Sequence, residues 1–260
     1  CGVLLINRKI SKVGSGPPII LVHGVGLDQY MWDPLLEELK KDFTCITYEL
    51  CGHGQATQIK GNVTLREFGE GLSELIESVK PLRPILLGFS LGAMVVKRFV
   101  IDHPNVVAGL VIAHSVFNRD LIQRKAILKR LETVRKLGLA AIVEPAIERW
   151  FTEPFKQSNP KILEQVRYTL MENDLDSYLK SYEVFAQGDS ELLPMVNKIE
   201  CSAAIITGEY DINSTPFMAY SLARKIEGST VIILKGLAHG APIEAPKRFA
   251  DAIKNSTDQW

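Results

Sequence analysis

The 260-residue sequence has no excess of charge of either sign: 30 Lys and Arg balance 30 Asp and Glu. Proteins that track phosphate backbones or anionic bilayers concentrate positive charge. Nucleic acid and membrane are therefore excluded as expected partners. No apolar run reaches about 18 residues, which excludes a transmembrane helix. Cysteine is scarce, at positions 1, 45, 51 and 201 only. No C-x-x-C pair and no zinc-finger spacing occurs, so the expectation is reduced, mostly buried thiols in a cytoplasmic protein. H-E-x-x-H and Walker patterns are missing as well, and neither a metal nor another cofactor is expected. The opening "CGVLLINRKI" places its apolar patch before its charges, the reverse of a signal peptide. Internal repeats and low-complexity tracts are lacking too.

What is present is an alternation of short apolar runs and longer amphipathic ones. Strands are expected over 3–9, 19–23 ("IILVH"), 43–49, 84–89 and 106–114. Helices are expected over 33–42, 64–80 and 91–103, the second with Thr64 as N-cap and Glu67 three residues on. The continuous apolar strands are those of a sheet covered on both faces. From 118 to 195 only helical patterns occur. The alternation resumes with strands at 203–207 and 229–235 and helices at 217–227 and 246–255. The sequence predicts a mostly parallel, doubly wound α/β sheet. Residues 1–117 and 196–260 form its core, and 118–195 form an inserted helical cap.

Gly88-Phe89-Ser90-Leu91-Gly92 sits where a predicted strand meets a predicted helix. G-x-S-x-G in that setting makes a turn so sharp that the serine is strained, and small residues on either side let strand and helix pass. The hydroxyl then stands at the carboxyl edge of the sheet, beside a helix N-terminus that favours a developing oxyanion. Serine is a poor nucleophile without a base, and the base needs an orienting acid.

His239 lies in a loop just past the last strand, and Asp211 in the loop past the preceding one. Both loops open at the sheet edge that carries Ser90. The chain order Ser, Asp, His is the one this strand–turn–helix setting uses. Other candidates are weaker. His114 ends a strand and is a rival base, and Asp120, which also follows a strand, is a rival acid. His23 closes a strand and shapes the loop after it. His53 is expected in a surface turn, His103 at a helix end, and Glu209 facing away. "HGVGLD" (23–28) lacks the third glycine of a dinucleotide fingerprint.

These stretches together resemble the α/β-hydrolase superfamily, in the segments "CGHG", "TGEYDINSTP" and "LAHGAPIEAP" as well as the elbow at 88–92. Within it the chain is most similar to 3-oxoadipate enol-lactonases, through "LDQYMWDPLLEELKKDFTCITYELCGHGQAT" (27–57) and, in the insertion, "AAIVEPAIERWFTEPF" (140–155). It departs from their usual "D-x-R-G-H-G" at Glu49 and Cys51, and Ala238 stands where a glycine usually precedes the histidine. The resemblance implies an α/β-hydrolase fold with its cap inserted after the sixth strand. It implies a Ser90–His239–Asp211 triad, an oxyanion hole made by the backbone N–H groups of Val25 and Leu91, and a small ester or lactone as substrate. Trp150 and Phe151 are candidate pocket walls, or else packing between cap helices. Two other activities compete with this reading: a carbon–carbon bond hydrolase on the same fold, and a non-catalytic ligand receptor.

Overall fold

A computed structural model describes residues 10–260 apart from Thr57 and Gln259. Seven strands form one sheet: β1 (Ile10–Val13), β2 (Pro18–Val22), β3 (Thr44–Tyr48), β4 (Ile85–Phe89), β5 (Gly109–Ala113), β6 (Ser202–Gly208) and β7 (Thr230–Leu234), in the order β1-β3-β2-β4-β5-β6-β7. Only the β1–β3 pairing is antiparallel. The chain steps outward from β2 to β3, then returns to place β4 on the other side of β2. That reversal opens a crevice at the carboxyl ends of β2 and β4. The expected strand at 3–9 lies outside the described residues. Five described strands precede the helical insertion, where the resemblance implied six.

The apolar strands sort by period two. Ile20, Val22, Leu86, Leu110 and Ile112 face one core, built with helices α2 (Leu65–Glu77) and α3 (Leu91–Asp102). Ile19, Leu21, Leu87 and Val111 face the other, built with α1 (Asp33–Leu39) and α11 (Pro246–Thr257). Each such side chain contributes about 1.5–3 kcal/mol on full burial, so the two layers hold the strand ends in fixed register. Thr64 caps α2 as its sequence predicts, accepting from the Glu67 N–H. Two short helices, α9 (Pro216–Ala223) and α10 (Ala241–Glu244), follow β6 and β7.

Between β5 and β6 the described chain holds five helices and no strand: α4 (Leu121–Leu137), α5 (Ala140–Trp150), α6 (Glu153–Ser158), α7 (Pro160–Met171) and α8 (Leu175–Leu192). No helix among the described residues is long and apolar enough to cross a membrane. Cys45, Cys51 and Cys201 form no disulfide with one another.

One charge is buried beneath this insertion. Lys97 of α3 is inaccessible to solvent, and its Nζ donates to Ser115 Oγ at 2.9 Å. Burial pulls its pKa down from 10.5 to about 7, against the pull of Asp189 and with the push of Arg119. Between about pH 7 and 10.5 the unfolded chain thus binds more protons at this residue, and its contribution to stability rises with pH. Lys97→Met removes that slope. The stability of the variant relative to the natural protein should be most favourable near pH 7 and decline toward about pH 10. Urea midpoints at both ends of the window measure this, and an unchanged gap would show that Lys97 keeps its proton throughout.

Candidate active site

The elbow is built by two glycines and one strained serine. Ser90 has φ 54° and ψ −111°, a conformation that L-residues avoid. It persists because its neighbours leave no alternative. A Cβ on Gly92 would come within 2.2 Å of the Val22 carbonyl oxygen, and one on Gly88 within 2.4 Å of the Gly92 carbonyl oxygen. The Ser90 N–H is held by the Ala113 carbonyl at 3.0 Å. Leu91 is the first residue of α3, so its N–H has no helical acceptor. The loop after β2 leans on the same point: a Cβ on Gly24 would lie 3.1 Å from Ser90 Cβ. Val25, the next residue, lines the same cavity as Ser90 and His239.

His23 shapes that loop. Its Nδ1–H donates to the Gly24 carbonyl at 2.9 Å, and its Nε2 accepts from the Leu50 N–H at 3.0 Å. Burial, reinforced by His53, pulls its pKa down to about 3, so it stays neutral. The surface turn expected at His53 is corrected: the ring is buried with its centroid 5.2 Å from that of His23. Burial pulls the pKa of His53 down to about 4.

Asp211 is enclosed completely. Its Oδ1 accepts from the Asn213 and Ser214 N–H groups at 3.0 and 2.8 Å. Its Oδ2 accepts from His239 Nδ1–H at 2.6 Å and from His114 Nδ1–H at 2.8 Å. Burial opposes ionisation, yet His239 beside it and the hydrogen bonds from both imidazoles hold the carboxyl well below the usual range. An ionised carboxylate only accepts, so both histidines carry their proton on Nδ1. His239 Nε2 is left as the basic nitrogen, on a ring that borders the cavity with Ser90. His114 Nε2 is buried without a partner, and its ring lies edge-on to His239, centroids 5.3 Å apart. His114 is therefore a second support for the carboxylate, facing the protein. The contact between the two was not legible beforehand; the only signal was that His114 ends a strand.

His114, Asp211 and His239 also bring three possible metal-ligating atoms within 4.8 Å of one another. Asp211 Oδ2 and the two Nδ1 atoms are already joined by hydrogen bonds, which suits proton chemistry.

The rival acid Asp120 is the exposed N-cap of α4, its Oδ1 accepting from the Gln123 N–H at 2.8 Å. Glu209 points away and accepts from the Gly236 N–H. His103 sits at the end of α3 against Phe99. Trp150 borders the cavity, 6.0 Å from the His239 ring between centroids. Phe151 does not: it is buried, stacked on Phe155 and pressed against Gly240. The pocket-wall expectation for Phe151 is corrected on that ground, because α5 ends at Trp150 and the extended backbone turns the next side chain away.

The cavity measures about 190 Å³. Its floor is the sheet edge. Its walls from the insertion include Tyr178, Tyr182, Phe185 and three arginines, Arg119, Arg130 and Arg149. None of these six was singled out in the sequence, where they are scattered over residues 119–185 with no common spacing.

The sequence pattern of the alpha/beta hydrolase family matches residues 19–252. The chain belongs to this family. Its curated relatives include (E)-2-((N-methylformamido)methylene)succinate hydrolase of Acinetobacter baylyi, 28% identical over 93% of this chain and 90% of the relative. Another is 3-oxoadipate enol-lactonase 2 of the same organism, 24% identical over 96% and 91%. Among solved structures, the enol-lactonase from Burkholderia xenovorans superposes with a TM-score of 0.87 at 23% identity, covering 97% of this chain and 96% of that one. A thermophilic esterase from Thermogutta terrifontis gives 0.84 at 25% identity, over 95% and 92%. The fold is thus the α/β-hydrolase fold.

The two histidines on one carboxylate separate by mutation. His239→Gln should lower kcat roughly 10³–10⁶-fold, as loss of a triad base does. His114→Gln, which keeps a donor near Asp211, should cost no more than about tenfold in kcat and show chiefly as a lower Tm. Equal losses from the two variants would assign the proton transfer to the pair instead.

Proposed function

We propose that this hydrolase cleaves a small carboxylic ester or lactone through an acyl-enzyme on Ser90. One observation carries the reading: a serine on a strained turn shares a cavity with an imidazole whose other nitrogen is fixed by a buried, ionised carboxylate. His239 Nε2 takes the Ser90 proton as Oγ attacks the carbonyl carbon. The Val25 and Leu91 N–H groups bind the oxyanion, a device in which one lost donor costs about 2.7–4 kcal/mol. Collapse expels the alcohol, which leaves with the proton from His239. Water then attacks the acyl group, passing its proton to the same nitrogen, and the acid departs as Ser90 recovers its hydrogen. Asp211 holds the imidazole in the required tautomer and stabilises its cation.

A lactone adds one demand. Its alcohol stays tethered, and tethering reaches effective molarities of about 10⁵ M or more. Reclosure therefore competes with hydrolysis. An enol leaving group escapes by turning into a ketone, which no longer attacks. This favours enol-lactones among the cyclic substrates, in line with the names of the Acinetobacter and Burkholderia relatives.

The helices of 118–195 act as a lid that excludes water and sets substrate shape. Trp150→Ala should shift the ratio of kcat/KM between a bulky and a small ester by about tenfold, while a small fluorophosphonate still labels Ser90. If the ratio stays put and only Tm falls, Trp150 is packing.

A panel of esters, lactones, a vinylogous diketone and the substrate named for the Acinetobacter relative tests the assignment directly. Ester or lactone turnover should dominate and fall roughly 10³–10⁶-fold in Ser90→Ala. Diketone cleavage without ester cleavage would move the protein to carbon–carbon chemistry. Failure of a fluorophosphonate to label the natural protein would favour a receptor.

A further inference from the structure

The cavity holds more positive charge than its own walls neutralise. Arg119, Arg130 and Arg149 border it, and no Asp or Glu does. Arg119 is accounted for in part: its Nη1 donates to Asp189 Oδ1 at 2.8 Å, and its guanidinium lies 4.7 Å above the centre of the Phe185 ring. Its Nη2, however, is buried without a partner. Asp189 is also shared, since Arg124 Nη2 reaches its other oxygen at 3.1 Å.

Arg130 and Arg149 have no carboxylate at all among the described residues. Arg130 Nη1 donates to the neutral Asn213 Oδ1 at 3.1 Å. Arg149, in the last turn of α5, leaves its Nε buried and unpartnered. Burial, with the like charge of Arg130, pulls down the pKa of Arg149. Guanidinium is nonetheless always charged in a protein. Two uncompensated cations beside an apolar and aromatic cavity cost stability. Elsewhere Arg66 pairs with Asp102, Arg135 with Glu183 and Arg167 with Glu144. Arg224 and Arg248 bond only a hydroxyl and a backbone carbonyl, but both are exposed to water, whereas Arg130 and Arg149 are half-buried at the cavity.

We propose that Arg149 and Arg130 bind a carboxylate of the substrate, distant from the bond that is cleaved. The reading rests on the ester or lactone hydrolase assigned above and narrows its substrate to a small acid. The planar fork of arginine matches a carboxylate through two parallel N–H···O bonds. The orphaned Nε of Arg149 and Nη2 of Arg119 are the donors such a group would satisfy. Size agrees: a dry cavity of about 150 Å³ holds a benzene-sized molecule, so about 190 Å³ suits a substrate with only a few more heavy atoms. With one end of such a molecule at Ser90, its other end is within reach of the arginine wall. The anion thereby fixes which carbonyl meets the nucleophile, and its binding supplies the orientation on which rate depends. Arg149 is in this sense a specificity-determining residue.

Two measurements test this, one independent of catalysis. Monomethyl glutarate and dimethyl glutarate present the same ester with and without an acid. The natural protein should prefer the monoanion at least tenfold in kcat/KM, and Arg149→Gln should erase that preference mainly through KM. Arg149→Lys, which keeps charge and loses the fork, should restore part of it. Arg167→Gln, on the outer face of α7, should leave the preference unchanged. Separately, glutarate should bind the Ser90→Ala protein by calorimetry, at least tenfold more weakly once Arg149→Gln is added, whether or not any ester is cleaved. That result with no ester turnover would retain the carboxylate site and sink only the ester reading. Glutarate affinity that ignores Arg149, no glutarate binding, or inorganic phosphate binding as tightly as glutarate would each overturn the proposal.

Discussion

Everything at the site depends on how closely the chain passes itself at the elbow. The carbonyls of Val22, the last residue of β2, and of His23 occupy the space where a side chain on Gly92 would stand, and the Gly92 carbonyl occupies that of Gly88. No relaxed turn fits in that gap. Ser90 accepts a positive φ because two apolar layers, one on each face of the sheet, hold β2 and β4 in register with Val22 opposite Gly88. The strain at one residue is supported by many buried side chains remote from it. The same packing presents a helix start, a serine and the Gly24–Val25 backbone to one small volume.

A second constraint is electrostatic. Three ionisable clusters in the described interior are resolved differently. Asp211 is neutralised by four hydrogen bonds from two N–H groups and two imidazoles, so its charge is kept and localised. His23 and His53 are resolved by losing their charge. Around Asp189 the chain gathers Arg119, Arg124 and, through space, Lys97, which leaves positive charge over. At the cavity itself, Arg130 and Arg149 meet no carboxylate among the described residues. Charge that a fold fails to cancel where it is expensive is informative, because packing alone would remove it.

The layered sheet, the elbow and the Ser90, Asp211 and His239 loops were legible in the sequence because each has a local signature. Continuous apolar runs mark covered strands, and small residues mark the turn between β4 and α3. Loops after consecutive parallel strands must open on one edge, so the convergence of Asp211 and His239 follows from topology. What was not legible was side-chain direction in the insertion. Trp150 and Phe151 are neighbours with like chemistry, yet one faces the cavity and the other the Phe155 ring, since α5 ends between them. The arginine wall escaped for a similar reason: Arg119, Arg130 and Arg149 lie on separate elements that only the packing of α4, α5 and α8 unites. His53 misled because a Gly-rich segment reads as exposed, whereas here it folds inward beside His23.

The insertion is fastened unevenly to the sheet. At one end the Gly240 N–H donates to the Trp150 carbonyl at 2.6 Å, and Glu244 accepts from both the backbone and the hydroxyl of Thr152. Gly240 follows His239 directly, so the histidine is tied to the end of α5. On the α4 side Arg130 bonds Asn213, with Ile122 and Ile212 open to solvent at the rim. That bond joins a guanidinium to a neutral amide, so breaking it strips no carboxylate of a partner. The α4 rim is thus bordered by solvent-exposed apolar side chains. A change at that rim leaves the imidazole's own fastenings, to Asp211 and through Gly240 to the end of α5, untouched.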